Sequence, residues 1–208
     1  IKGSINVTKS KPASFFVPTI TFNTNLLEAA FKSKANHVLY TSSIGVYSPS
    51  ELFNEEDVWK TFPSENDRFA GWAKRMGELQ MLAYQKEFNF NNYSVIRPAN
   101  IYGPYDNFDP QSAMVIPSLI NKVLSAKDEV EVWGDGSAVR DFIFSKDVAR
   151  GMMLAVEKKI YKPLNLGSGT GITIKDLINS IIKAIPNSNL KIKWDTSKPE
   201  GTPRKLLD

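Results

Sequence analysis

Apolar residues along this chain fall either into short continuous runs or into longer stretches with helical spacing. The continuous runs are typical of strands buried on both faces, and they predict strands at 37–41, 93–96, 130–133, 141–144 and 190–194. Apolar residues spaced three or four apart predict helices at 23–33, 69–88, 114–124, 146–157 and 174–184. Strands that alternate with helices indicate an α/β fold with a mainly parallel sheet.

Polar and turn-forming residues separate these elements. They predict loops at 1–14, 48–68, 101–110 and 197–208, with a tight turn at 134–136. Ser145 and Thr173 are predicted N-caps for the helices that follow them. The elements beyond Gly103 are shorter and more interrupted, which indicates a smaller lobe that caps the first.

Composition and charge remove several classes of function. Net charge is only +4, from 26 basic and 22 acidic residues that are well mixed, so we expect no nucleic-acid partner. The chain has no cysteine, which excludes disulfides and thiolate nucleophiles and fits a cytoplasmic protein. The lone His37 cannot form a metal site by itself, so we expect no metal. No apolar run has membrane-spanning length.

Two stretches carry candidate chemistry, VLYTSSIGVY at 38–47 and FAGWAKRMGE at 69–78. The first is a predicted strand that runs into three hydroxyl residues, Thr41, Ser42 and Ser43. The second begins a predicted helix that carries Lys74 in its second turn. Because ligands of doubly wound α/β proteins bind at the carboxyl ends of strands, we expect these groups to face one pocket.

These stretches resemble the extended short-chain dehydrogenase/reductases, that is, the NAD-dependent epimerase/dehydratase family, and within it the nucleotide-sugar branch that includes GDP-fucose synthase. The similarity continues in RPANIYGPYDNF at 97–108, AMVIPSLI at 113–120, VWGDGSAVRDFIFSKDVA at 132–149, LNLGSG at 164–169 and SKPEGTPRKLLD at 197–208. It implies a doubly wound, Rossmann-like parallel sheet with a smaller substrate-binding lobe. Residues 1–102 would be the C-terminal part of the dinucleotide-binding domain. Residues 103–208 would be mainly the substrate lobe, with segments that return to the Rossmann sheet.

The family's opening strand and glycine-rich turn, which hold the dinucleotide pyrophosphate, do not occur in this sequence. We therefore expect an internal portion of a longer protein that lacks its first strands. The resemblance implies NAD or NADP as cofactor, and the choice between them is set mainly in the missing part. The residues that it implies for cofactor binding are Thr41, Ser42, Lys74, Arg97, Pro98 and Asn100.

The resemblance also assigns catalytic positions. In the family a tyrosine phenolate exchanges the proton of a sugar hydroxyl, assisted by a serine and by a lysine four residues after the tyrosine. Ser43 and Lys74 fit the serine and the lysine, but Ala70 stands at the tyrosine position and has no titratable group. Three interpretations stay open: an engineered replacement, a different acid/base (Ser42, Ser43, Lys74 or a water), or a degenerate relative.

Two further positions narrow the reaction that the resemblance implies. The fucose-synthase relatives epimerise with a cysteine and a histidine, and here those positions hold Gly45 and Met114. The dehydratase relatives carry acids after the catalytic hydroxyl, whereas Ile44 and Gly45 offer none. What remains is oxidation or reduction at one carbon, or 4-epimerisation. The alternative is a binding protein that has lost turnover.

The implied substrate is a nucleotide-diphosphate sugar, possibly a GDP-sugar. Arginine can hold pyrophosphate through two parallel hydrogen bonds, and tryptophan offers a wall for a base. The implied substrate-binding residues are Ser43, Asn100, Val115, Lys122, Trp133, Arg140, Lys198 and Arg204. Relatives often form dimers through two long helices, so a homodimer of the full-length protein through 23–33 and 70–88 is expected by analogy.

Overall fold

A computed structural model describes residues 10–186, 189–198 and 201–208. Within them the chain forms five α-helices: α1 Pro12–Lys32, α2 Arg68–Phe88, α3 Val115–Ser125, α4 Ser145–Glu157 and α5 Ile174–Lys183. The strands are β1 Val38–Thr41, β2 Tyr93–Pro98, β3 Asn100–Tyr102, β4 Glu129–Trp133, β5 Val139–Phe144, β6 Leu164–Leu166, β7 Gly171–Thr173, β8 Lys191–Asp195 and β9 Arg204–Lys205.

The strands form three small sheets in which parallel pairs dominate. The first sheet has the order β1-β2-β6 and is parallel throughout. In the second, β5 pairs in parallel with β3 and β9 and antiparallel with β7, while β4 and β8 form a separate parallel pair. The predicted α/β class with a mainly parallel sheet is confirmed. Strand β6 returns from the later half of the chain to β2, and the division at residue 102 stays a prediction.

Each sheet has its own apolar core. Leu27 of α1 and Met81 of α2 pack on β1 and β2 beside Tyr40. Helices α3 and α5 cover β4 and β8, with Leu119 and Ile178 at the centre. A third cluster joins the turn after β1 to the end of the chain; its buried members are Ile44, Val46, Tyr47, Phe53, Val58, Ala99, Ile143, Val148 and Leu207.

Helix α1 begins much earlier than predicted. The predicted loop 1–14 is wrong for residues 12–14, which are helical, and residues 1–9 lie outside the described residues. Pro12 in the first turn is compatible with a helix start, because its missing N–H would have no helical partner there. The sequence pattern concealed this start because Val17 and Phe22 are 57% and 62% exposed, which breaks the apolar periodicity.

Smaller differences concern short strands and one cap. Strands β3 and β9 lie at least partly in predicted loops, and Phe53 bridges to Leu207. Ser145 is the first residue of α4 and does not cap it through its side chain, so that prediction is wrong. The cap at Thr173 is confirmed, since its hydroxyl oxygen accepts from the Asp176 N–H at 3.0 Å.

Candidate active site

The centre of the candidate site is the polar turn that follows β1. Strand β1 ends at Thr41, and Ser43 is in an extended conformation two residues later. Its Oγ accepts a hydrogen bond from the Gly45 N–H at 3.1 Å and so caps the short 3₁₀ turn 44–46. This cap fixes the Ser43 hydroxyl at the carboxyl end of a parallel strand, the edge at which ligands of such sheets bind.

The first turn of α2 packs directly on this serine turn. A Cβ at Gly71 would lie 2.4 Å from the Gly45 carbonyl oxygen, so only glycine allows the two backbones to approach this closely. Ala70 is the neighbour of Gly71 and is exposed. Ala70, the predicted position of the family's tyrosine, therefore lies beside the Ser43 turn and carries only a methyl group.

Lys74 reaches the same strand end from the next turn of α2. Its Nζ donates to the Thr41 carbonyl oxygen at 2.8 Å and lies 5.5 Å from the centre of the Tyr40 ring. Burial lowers the pKa of Lys74, and the charge of Glu78 partly opposes this. The structure thus brings Lys74 to the strand end beside which Ser43 lies.

A buried polar network lies beneath the strand end. The Ser42 hydroxyl donates to Glu78 at 2.5 Å, and Arg97 makes two hydrogen bonds to the same carboxylate, at 3.0 and 2.7 Å. Arg97 also donates to the Tyr47 hydroxyl at 3.0 Å, which in turn donates to Asn165. Burial by itself would lower the pKa of Arg97, but the hydrogen bond and charge of Glu78 raise it overall.

Burial in and around this network divides the predicted cofactor residues into two groups, and their role in cofactor binding stays a prediction. The Arg97 side chain is 0% exposed, so the structure gives it no surface for direct contact with a cofactor. Ser42 and Pro98 are buried as well. These three residues pack inside the protein at the strand ends, whereas the side chains of Thr41 and Lys74 are accessible to solvent.

Three predicted substrate residues lie on or beside β5 and β9. The Asn100 amide donates to the Asp141 carbonyl oxygen at 2.8 Å. Arg140 donates to the Val139 carbonyl oxygen at 2.8 Å; burial lowers its pKa, and the charge of Asp67 opposes this. Arg204 donates to the Glu51 carbonyl oxygen at 2.9 Å. Strands β5 and β9 thus carry Arg140 and Arg204 on neighbouring backbones.

The other predicted substrate residues belong to α3, β4 and the segment after β8. The Lys122 ammonium donates to the Glu131 carbonyl oxygen at 3.0 Å and lies 5.3 Å from the centre of the Trp133 ring. Trp133 is 41% exposed at the end of β4. Val115 is the first residue of α3, and Lys198 is exposed. The Lys122–Trp133 pair forms a separate group from the Ser43–Lys74 region.

Sequence reasoning missed one ion pair beside the serine turn. Asp67 lies directly before α2, and its Oδ2 accepts from the Lys205 ammonium at 2.5 Å and from the Ser64 hydroxyl at 2.9 Å. The two charges are 138 positions apart in sequence. The one available signal was an acidic residue immediately before a helix, which is the ordinary pattern of an N-cap.

The described residues contain no group of three or more acidic or histidine side chains that could hold a metal ion. None of the helices in the described ranges is long and apolar enough to cross a membrane.

Comparison with known proteins adds to this geometry. Residues 2–167 match the NAD dependent epimerase/dehydratase family. The chain belongs to this family. The probable GDP-L-fucose synthase 1 of Oryza sativa subsp. japonica is 33% identical over 215 residues, which cover 99% of this chain and 65% of the rice protein. The chain thus spans slightly less than two thirds of that relative.

Solved structures of other proteins have the same fold. The UDP-N-acetylglucosamine 4-epimerase from Methanobrevibacter ruminantium M1, in complex with UDP-N-acetylmuramic acid, superposes with a TM-score of 0.85 at 25% identity, over 99% of this chain and 64% of its own. A GDP-L-fucose synthetase from Naegleria fowleri bound to NADP has a TM-score of 0.84 at 24% identity, over 94% and 62% of the two chains. The second likeness concerns the fold alone.

Proposed function

We propose that the protein is an enzyme that uses NAD or NADP to oxidise or reduce one carbon of a nucleotide-diphosphate sugar, or to epimerise it at C4. The observation that carries this proposal is that Ser43 and Lys74 both lie at the carboxyl end of β1. There Lys74 Nζ donates a hydrogen bond to the Thr41 carbonyl oxygen at 2.8 Å. Family membership supports the same reaction class.

The residues present fit the ribose and nicotinamide end of the cofactor. Lys74 supplies an ammonium, and Thr41 and Ser43 supply hydroxyls, which are the groups that hold ribose and sugar oxygens. When bound, the dinucleotide would supply or take up the hydride. Ser43 would hold the sugar oxygen, and Lys74 would hold the ribose and favour negative charge nearby.

For the substrate, we place the pyrophosphate against Arg140 and Arg204 and the base beside Lys122 and Trp133. The two arginines lie on paired strands, and guanidinium groups bind pyrophosphate well. The exposed Trp133 ring can stack on a base. Asn100, Val115 and Lys198 complete the proposed set. The rice relative, named for a GDP-sugar, makes GDP-sugars the first substrates to test.

The residues at positions 45 and 114 limit the reactions that we propose. Gly45 follows the serine closely and Met114 precedes α3, and neither side chain can move a proton. Relatives that carry out a double epimerisation or a dehydration use acid/base side chains at the positions of Ile44, Gly45 and Met114, so we propose simple redox chemistry or 4-epimerisation.

The deciding experiment uses the protein expressed from its full reading frame. A native mass spectrum would identify any dinucleotide or nucleotide sugar that co-purifies, and a panel of GDP-, UDP- and dTDP-sugars would then be assayed with both dinucleotides. We expect a bound dinucleotide and turnover of at least one sugar. A protein that binds neither class of ligand would contradict the proposal.

A second candidate function is a nucleotide-sugar or dinucleotide-binding protein without turnover, which the methyl side chain of Ala70 favours. Replacing Ala70 by Tyr separates the two, because a phenol beside Lys74 would provide the family's usual acid/base. For an enzyme we expect turnover to rise about 10-fold or more, within the range of general acid–base effects. The matched control is Ala70→Phe, which lacks the hydroxyl. Ligand binding without turnover in wild type and in both variants would favour the binding protein.

A homodimer through α1 and α2 is part of the same proposal. These helices expose Val17, Phe22 and Leu26 on α1 and Phe69 and Leu79 on α2, and apolar surface of this kind is typical of an interface. We expect Phe22→Asp to convert a dimer into a monomer in sedimentation analysis. Met153→Asp is the control, because Met153 is equally exposed on α4 and should not affect assembly. A wild-type monomer would contradict the dimer.

A cytoplasmic location also belongs to this proposal, supported by the absence of cysteine in the chain. Fractionation of cells that express the tagged protein would test it.

A further inference from the structure

The missing tyrosine raises the question of which group moves the proton. A carboxylate lies next to the serine turn, at the same end of α2 as Ala70. It is Asp67, the residue immediately before α2 and three positions before Ala70. Asp67 is the N-cap position of α2, so it lies at the end of the helix that carries Ala70.

Asp67 and Ser43 both border Gly45. A Cβ built on Gly45 would lie 3.4 Å from Ser43 Oγ and 3.6 Å from Asp67 Cγ. The hydroxyl and the carboxyl group therefore both lie within van der Waals distance of one point beside Gly45.

The conformation of Asp67 is a second, independent observation. Aspartate before a helix usually accepts hydrogen bonds from the first backbone N–H groups. Here the Asp67 side chain makes no capping hydrogen bond, although its carbonyl oxygen accepts from the Gly71 N–H. The carboxylate instead contacts Lys205 and Ser64, and both contacts go to Oδ2. Oδ1 is thus the oxygen left to accept a substrate proton.

The Asp67 side chain is fixed by Lys205 and Ser64 but stays partly exposed to solvent. Its side chain is 24% exposed and that of Lys205 is 15% exposed, so the pair borders solvent at a partly covered position. Arg140, a proposed pyrophosphate ligand, is near enough for the charge of Asp67 to affect it. Asp67 is thus near both the Ser43 turn and Arg140.

We propose that Asp67, oriented by Lys205 and Ser64, is the catalytic acid/base that replaces the absent tyrosine. This inference rests on the proposed function. In the oxidation direction, the sugar hydroxyl transfers its proton to the Asp67 carboxylate, directly or through the Ser43 hydroxyl. The carbon–hydrogen electron pair leaves as hydride to the oxidised dinucleotide, and a carbonyl forms. In reduction the protonated Asp67 returns the proton to the new alkoxide.

The test compares Asp67→Asn with wild type in the full-length protein. The amide keeps the shape and most hydrogen bonds but cannot take up the proton, so we expect kcat to fall about 100-fold or more. Affinity for the nucleotide sugar, measured by titration calorimetry in the absence of turnover, should change less than about threefold. Glu65→Gln is the matched control, since Glu65 lies two residues away and is 86% exposed.

A rescue experiment separates catalysis from structure. Adding Ala70→Tyr to the Asp67→Asn variant should restore kcat about 10-fold or more, because the phenol provides an acid/base within one turn of α2. A purely structural defect would not respond to a hydroxyl, and Ala70→Phe in the same background serves as its control.

Three results would overturn the inference. These are a kcat for Asp67→Asn within threefold of Glu65→Gln, a loss of substrate affinity that accounts for the loss of activity, or a loss that Ala70→Tyr leaves unrestored. If wild type itself transfers no hydride, the proposed function fails instead. An active wild type with an equally active Asp67→Asn variant removes only the role of Asp67.

Discussion

Replacing Arg97 by Met should destabilise the fold by roughly 3–5 kcal/mol, because the change leaves the Glu78 carboxylate buried without its partner. Glu78 is 3% exposed and accepts two hydrogen bonds from Arg97. Removing Arg97 would also take away a donor to the Tyr47 hydroxyl. Chemical denaturation followed by circular dichroism would measure the free energy of unfolding.

Two further variants test this explanation. Replacing Glu78 and Arg97 together by Met should recover part of the loss, because no buried charge then remains, although Ser42 and Tyr47 still lose partners. Lys60→Met is the control at an exposed pair, where Lys60 and Asp57 are 67% and 43% exposed, and should cost less than about 1 kcal/mol. If Arg97→Met cost no more than this control, the buried pair would not stabilise the fold.

The burial of Arg97 and its pairing with Glu78 could not be predicted from sequence. The motif RPAN placed Arg97 near the cofactor, and a strand of continuous apolar character gave no indication of which way the arginine points. Glu78, its partner, lies 19 positions away on α2. The pairing follows from the packing of α2 on β2, which sequence spacing does not fix.

Other features were predictable because they depend on local signals. The apolar run at 38–41 and the hydroxyls after it located the strand end, and the amphipathic helix carried Lys74 to it. The Asp67–Lys205 pair was not predictable, since it joins a loop to β9 across 138 positions. Helix α1 was underestimated because its exposed apolar residues hide the ordinary amphipathic pattern.

The network and the site also depend on each other. Ser42, next to Ser43, donates to Glu78, which lies one turn after Lys74 on α2. The charge of Glu78 favours the protonated form of Lys74 against the effect of burial. The Glu78–Arg97 pair thus contributes to the charge at the strand end as well as to stability.

Replacing Lys74 by Met should therefore reduce turnover about 100-fold or more, since the strand end loses its one described ammonium and its hydrogen bond to Thr41. Methionine keeps a similar length, so Tyr40 retains a packing partner. Affinity for the dinucleotide should fall as well, which titration calorimetry would measure independently of turnover.

Lys86→Met, in the last turn of α2, is the control and should change neither quantity. A Lys74→Met variant with kcat and dinucleotide affinity within threefold of that control would remove Lys74 from the site. The proton transfer would then rest on Asp67 and Ser43, with the Lys205 ammonium that contacts Asp67 as the neighbouring positive charge.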